Sequence, residues 1–163
     1  MKRLLHVVSF TSNLEASKTF YRDVLGLQVV PMDTAALGAT AFLSSHPAEQ
    51  SLDLALFANP AYQHTAFAVR SLADLRAFHQ RVLGRGVPVK MAFNHGVSLS
   101  FYFDDPEGHL IEVYWPTGVA CSPRHGDAID LTRSEEALRR DVAELVARAG
   151  APRAAGGAEA GRW

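Results

Sequence analysis

Cysteine is almost absent. Cys121 is the only thiol among 163 residues, so no internal disulfide framework can hold the fold, and a reducing, cytoplasmic setting is expected. Long apolar runs are missing as well. A membrane-crossing helix needs about 20 consecutive apolar residues. The run behind Met1-Lys2-Arg3 is broken by His6, and no small-residue cleavage site follows. Nor does one sign of charge dominate. Sixteen Lys and Arg stand against seventeen Asp and Glu, a formal net charge of -1, which removes the electrostatic basis for holding a nucleic acid or an anionic membrane. What remains, 48% hydrophobic and 20% charged residues, is the composition of an ordinary globular protein with one well-filled core.

An internal repeat organises the chain. At an offset of 58 residues, Leu14, Phe20, Val24, Leu25 and Gly26 recur as Leu72, Phe78, Val82, Leu83 and Gly84, and His6 recurs as His64. Each copy reads as a strand around the His, a helix (14–25 and 72–83) ended by Gly, and three further strands. Those strands fall near 27–31, 38–44 and 51–58 in the first copy, and near 87–92, 97–104 and 109–115 in the second. The fold class is therefore α+β, with paired βαβββ modules at about 3–58 and 61–116. Pro116, Gly118, Pro123 and Gly126 mark an irregular segment. A helix near 134–148 follows, with Thr132 and Glu135 at capping-box spacing and Ser134 as a rival cap. The expected organisation is a domain over 1–132, a C-terminal helix over 133–149 and a disordered tail over 150–163.

The repeat places His6 and His64 at matching points on matching strands, so pseudo-twofold symmetry brings two imidazoles together. A single His in an apolar strand is more often a hydrogen-bonded core residue; the symmetric pair points to metal. Glu112 lies in an otherwise apolar strand, His109 to Trp115, where an unpaired buried carboxylate is costly and calls for a cation or strong donors. The alternative is an edge strand with Glu112 in water and Ile111, Val113 and Trp115 forming the buried face. Two imidazoles and one carboxylate leave adjacent positions open on a six-coordinate ion, the pattern of non-haem Fe(II) oxygenases, though Mn, Ni and Zn accept the same donors. In the first copy the position matching Glu112 is Leu54, which cannot ligate, and alternation turns the adjacent Asp53 to the opposite face.

The turn Asp104-Asp105-Pro106-Glu107-Gly108 makes a hairpin that sets Tyr102 opposite Glu112 on one face. Its phenol can donate a hydrogen bond to a bound oxygen or help deprotonate a hydroxyl substrate. His95, in Asn94-His95-Gly96, can act as a further acid or base, or simply face solvent. His46, His79, His109 and His125 are expected on the surface. Arg124 and His125 are a weaker candidate cover for the pocket mouth, and Val8, Ala66 and Ser100 are expected as its walls.

These residues resemble the vicinal oxygen chelate superfamily of glyoxalases, bleomycin-resistance proteins, fosfomycin-resistance transferases and extradiol dioxygenases. The resemblance covers about residues 3–132. It rests on the His6 strand followed by Ser17-Lys18-Thr19-Phe20-Tyr21-Arg22-Asp23-Val24-Leu25-Gly26, on Gln63-His64-Thr65-Ala66-Phe67, and on Asn94-His95-Gly96 running through Tyr102 to Asp105-Pro106-Glu107-Gly108-His109-Leu110-Ile111-Glu112. It implies a cupped mixed sheet around a metal held by His6, His64 and Glu112. Within the superfamily, a Tyr ten residues before the Glu is similar to the extradiol dioxygenases. That likeness implies Fe(II), O2 and a small catecholic substrate, with Tyr102 and His95 as catalytic groups and a homodimer as a common assembly. The rival readings are a non-redox lyase, isomerase or thiol transferase on the same fold, and a small-molecule-sequestering resistance protein.

Overall fold

A computed structural model describes residues 3–31, 38–47, 52–119, 121 and 126–150. The described chain divides into two compact units, one of Leu4–Phe67 and one running on from Ala68. Among the described residues no helix is long and apolar enough to cross a membrane.

In the first unit, β1 (Arg3–Phe10) leads into α1 (Leu14–Leu25), β2 (Gln28–Val30), β3 (Thr40–Ser44) and β4 (Leu54–Phe57), and a 3-10 turn at Pro60–Tyr62 precedes β5 (His64–Ala68). The strand order is β2-β3-β4-β1-β5, with β1 parallel to β4 and the β2–β3 and β3–β4 pairs antiparallel. Asn13 starts α1 by accepting from the Ala16 N–H at 3.0 Å. Gly26 ends it at φ 71°, and its N–H bonds the Arg22 carbonyl while that of Leu27 bonds Tyr21, a helix stop that needs left-handed backbone. Strand alternation sorts the apolar residues into two clusters. Ala41, Leu43, Leu54 and Leu56 pack with Val7, Leu14 and Tyr21 on the helix side. Val8, Phe42, Ala55 and Phe57 pack with Val30 and Tyr62 on the other.

The second unit contains α2 (Leu72–Gly84), β6 (Met91–Asn94), β7 (Ser98–Asp104), β8 (Leu110–Pro116), β9 (Asp127–Ala128) and α3 (Glu135–Gly150). Its strands run in the order β8-β7-β6-β9, with antiparallel neighbours. Leu72, Leu75 and Val82 of α2, Leu99 and Phe101 of β7, Val113 and Trp115 of β8, and Leu138 and Val142 of α3 share one core.

The α+β class is present and each expected helix and strand has a counterpart, although the strand expected near 87–92 lies later, at β6 (Met91–Asn94). Three local expectations are corrected. Ser134, not Thr132, caps α3, accepting from the Ala137 N–H at 3.2 Å, because Thr132 is tied to the Asp130 carboxylate. β9 adds a short edge strand. His79 is not on the surface: it is 7% exposed, edge-on to Phe101 at 5.2 Å, on the buried stripe of α2 with Leu72, Leu75 and Val82. The tail expected beyond Gly150, and Arg124 and His125, lie outside the described residues.

Burial lowers the pKa of His79 from its ordinary 6.5, with nearby Asp130 opposing the shift only in part. Its Nδ1 is buried without a hydrogen-bond partner. The unfolded chain takes up this proton near pH 6.5 and the folded chain only at lower pH, so stability falls as pH drops through that window. Thermal melts from pH 7.5 to pH 5 are expected to show this loss, and His79→Leu is expected to shrink it. An unchanged slope in the variant would remove His79 as its cause.

Candidate metal centre

His6 sits on β1 with 8% exposure, on the same face as Val8 and away from the helix-side cluster. Within the same unit the His64 ring stands 5.6 Å from that of His6, centroid to centroid, at 73°. His64 Nδ1 lies 2.8 Å from the Tyr62 carbonyl oxygen. A carbonyl can only accept, so Nδ1 carries the proton and Nε2 carries the lone pair, which is the tautomer a metal requires. The 3-10 turn that aims this carbonyl starts at Asn59, whose side chain accepts from the Ala61 N–H. Sequence reasoning missed Tyr62, because a backbone acceptor leaves no side-chain signal.

In the second unit, Tyr102 pairs with Glu112 across the β7–β8 hairpin, as its turn residues predict. The Tyr102 hydroxyl donates to Glu112 Oε1 at 2.6 Å, and both residues are buried, at 8% and 3% exposure. The edge-strand alternative for Glu112 is thus excluded. Burial first, and the Glu112 charge second, push the Tyr102 pKa well above 10, so the phenol holds its proton and serves as a donor.

His95 occupies the turn between β6 and β7. Asn94 Oδ1 accepts from the Gly96 N–H at 2.9 Å, and the His95 N–H bonds the Ser98 carbonyl at 2.8 Å. Gly96 has φ 75°, and a Cβ there would come 2.5 Å from Cys121 Sγ, so no larger residue fits without displacement. His95 is half-buried against Phe93, with Nε2 3.4 Å from the Tyr102 hydroxyl. The shaping role of Asn94 was also missed, although an Asx turn two residues before a Gly is a readable signal.

Leu54 does not take the first-unit position equivalent to Glu112. The parallel register pairs Val7 with Leu54 and Val8 with Ala55, and Leu54 packs in the helix-side cluster. Alternation therefore puts Asp53 on the face of His6, contrary to the expectation from the repeat offset. Its carboxylate accepts from both the N–H and the hydroxyl of Ser45, and these bonds hold its pKa below the usual carboxylate range. His46 and His109 are exposed, as expected, beside Ser45 and Asp105. Val8, Ala66 and Ser100 are all buried.

His6, His64 and Glu112 each offer one ligand atom of a kind that binds divalent ions. The buried carboxylate and the fixed His64 tautomer fit such an ion. The class defined by this fold and these donors is a paired-module α+β protein with a candidate metal centre. The chain belongs to the Glyoxalase/Bleomycin resistance protein/Dioxygenase superfamily, whose model matches residues 3–113. It is 32% identical over 123 residues to biphenyl-2,3-diol 1,2-dioxygenase 3 of Rhodococcus globerulus, a match covering 68% of this chain and 62% of that protein. In fold it is similar to a crystal structure of catechol 2,3-dioxygenase, with TM-score 0.56 and 24% identity over 78% of this chain and 44% of that one. It is equally similar to the Mn(II)-bound glyoxalase from Novosphingobium aromaticivorans, with TM-score 0.57 and 23% identity over 91% of this chain and 53% of that one.

Removing one hydroxyl tests the Tyr102–Glu112 pair. Tyr102→Phe is expected to keep the fold and to lower metal affinity or turnover by about 10–100-fold, the usual cost of losing a group that orients a ligand. Metal titration and steady-state rates together check this, and wild-type values for both would rule out a functional role for the phenol.

Proposed function

We propose that the chain is a metal-dependent, extradiol-type ring-cleaving dioxygenase acting on a small catecholic compound, with His6, His64 and Glu112 holding one Fe(II). The observation that carries this reading is the buried Glu112 carboxylate gripped by the Tyr102 phenol at 2.6 Å, in a chain related to a biphenyl-diol dioxygenase. Bound Fe(II) would supply the one-electron chemistry that lets O2 react with a catechol.

The protein's own groups do the rest. The Tyr62 carbonyl orients His64. Tyr102 keeps its proton and, by donating it in a hydrogen bond, fixes one oxygen of Glu112. His95 Nε2 stands 3.4 Å from the Tyr102 hydroxyl, so its imidazole is placed to accept and return the proton of a substrate hydroxyl. The Asp53 carboxylate, held by Ser45, leaves the donor set at three.

Oxygen consumption by protein loaded with iron under anaerobic conditions, assayed with a panel of catechols, tests this reading. Uptake matched by a yellow ring-cleavage product is expected, with no activity for the Mn- or Zn-loaded protein in the absence of iron. Turnover of a non-catechol substrate with Mn, Ni or Zn and no O2 would establish the Lewis-acid reading, and tight binding with no product would establish sequestration.

A further inference from the structure

The turn that carries His95 satisfies its own backbone donors but not its acceptors. The His95 N–H bonds the Ser98 carbonyl, and the Gly96 N–H bonds Asn94 Oδ1. The carbonyls of Gly96 and Val97 are reached instead by Thr117, the residue directly after β8. Its hydroxyl lies 2.8 Å from the Gly96 carbonyl oxygen, and its N–H bonds the Val97 carbonyl at 3.0 Å. The direction of that hydroxyl is fixed. At 3.2 Å the Val119 N–H can only donate to Thr117 Oγ1, so the hydroxyl proton points to Gly96.

Gly96 is where such a bond matters most. A glycine can swing its carbonyl at little steric cost, so an external donor is needed to hold one direction. The surroundings confine the turn further. Cys121 Sγ and Leu145 of α3 stand against the position a side chain at Gly96 would take. On the other side Asn94 pairs with Asp127 of β9, which the Arg148 guanidinium ties to α3 at 2.7 Å. The strand that carries Glu112 thus carries, just past its end, the clasp on the turn that presents His95.

We propose that Thr117 is a positioning residue for His95, its hydroxyl fixing the Gly96 carbonyl so that His95 Nε2 stays directed at the Tyr102 hydroxyl. The proposal rests on the reading of His95 as the proton-transfer group of the dioxygenase. A general acid or base works only within hydrogen-bond reach of its partner. At 3.4 Å the His95–Tyr102 contact stands near the limit of that reach, so a small outward swing of the turn breaks it. The segment from Pro116 onward, which sequence reasoning left without a role, is by this account what keeps the imidazole in place.

Two readouts test the proposal. In the full chain with Zn(II) added, labelled at histidine and tyrosine, a nuclear Overhauser contact between the His95 and Tyr102 rings reports the geometry without turnover. It is expected in the wild type, lost in Thr117→Val and regained in Thr117→Ser, which keeps the hydroxyl. In the iron-loaded enzyme Thr117→Val is expected to lower kcat about 10–100-fold with KM nearly unchanged, the loss a displaced acid or base produces. The same change is expected to have no further effect in a His95→Ala background. A ring contact that survives in Thr117→Val overturns the proposal, as does its absence from the wild type. So does a wild-type kcat in Thr117→Val, or a loss of equal size in the His95→Ala background, because the hydroxyl would then act elsewhere or not at all. A wild type that turns over no catechol removes the dioxygenase reading alone, and the ring contact still decides the positioning.

Discussion

Replacing Glu112 by Gln is expected to abolish both metal retention and ring cleavage while the protein stays folded. Glu112 is 3% exposed, and its Oε1 accepts the Tyr102 proton at 2.6 Å. Gln keeps the volume and an oxygen that can accept the same bond, so packing and the hairpin register persist. The negative charge is lost, and with it the donor that balances a divalent ion against two neutral imidazoles. The loss in metal affinity should exceed the about 10–100-fold typical of groups that merely orient a ligand. Equilibrium metal titration, run beside thermal melts, separates the effects: a folded variant that still binds one ion with wild-type affinity would refute the ligand assignment.

Phe101→Ala carries the largest expected cost in stability. Phe101 is fully buried, stacked on Phe103 at 5.8 Å and close to Phe78 at 6.0 Å and to His79 at 5.2 Å. Truncating such a ring costs about 3–5 kcal/mol in lost transfer energy and residual cavity, against a total stability of about 5–15 kcal/mol for a domain. Urea denaturation should show the midpoint falling sharply. A change below about 1 kcal/mol would mean that the cluster collapses around the gap and is not a close-packed core. Phe101 neighbours Tyr102 but points to the other face of β7, so this variant probes the scaffold without removing a proposed functional group.

Much of this was legible in the sequence because local signals agreed. Helical spacing and a following Gly bounded α1, and the turn around Pro106 and Gly108 fixed the Tyr102–Glu112 register without reference to distant residues. What escaped depended on tertiary contact. β9 is two residues long and has no period to detect; it exists through backbone bonds to β6. His79 was misplaced because Gln80 and Arg81 follow it directly, while the helix angle turns its ring inward with Leu72, Leu75 and Val82. The repeat offset failed by one residue at Asp53 and Leu54. There the pairing with β1, and not chain distance, sets which face a side chain takes, and a one-residue slip reverses it.

The central claim is that two imidazoles and one carboxylate of this chain hold a single iron. X-ray absorption of the protein loaded with one equivalent of Fe(II) under anaerobic conditions tests it most directly. The prediction is a nitrogen and oxygen environment with the scattering of two imidazoles, reduced to one in His64→Ala. A sulfur scatterer from Cys121, or a spectrum that His64→Ala leaves unchanged, would contradict it.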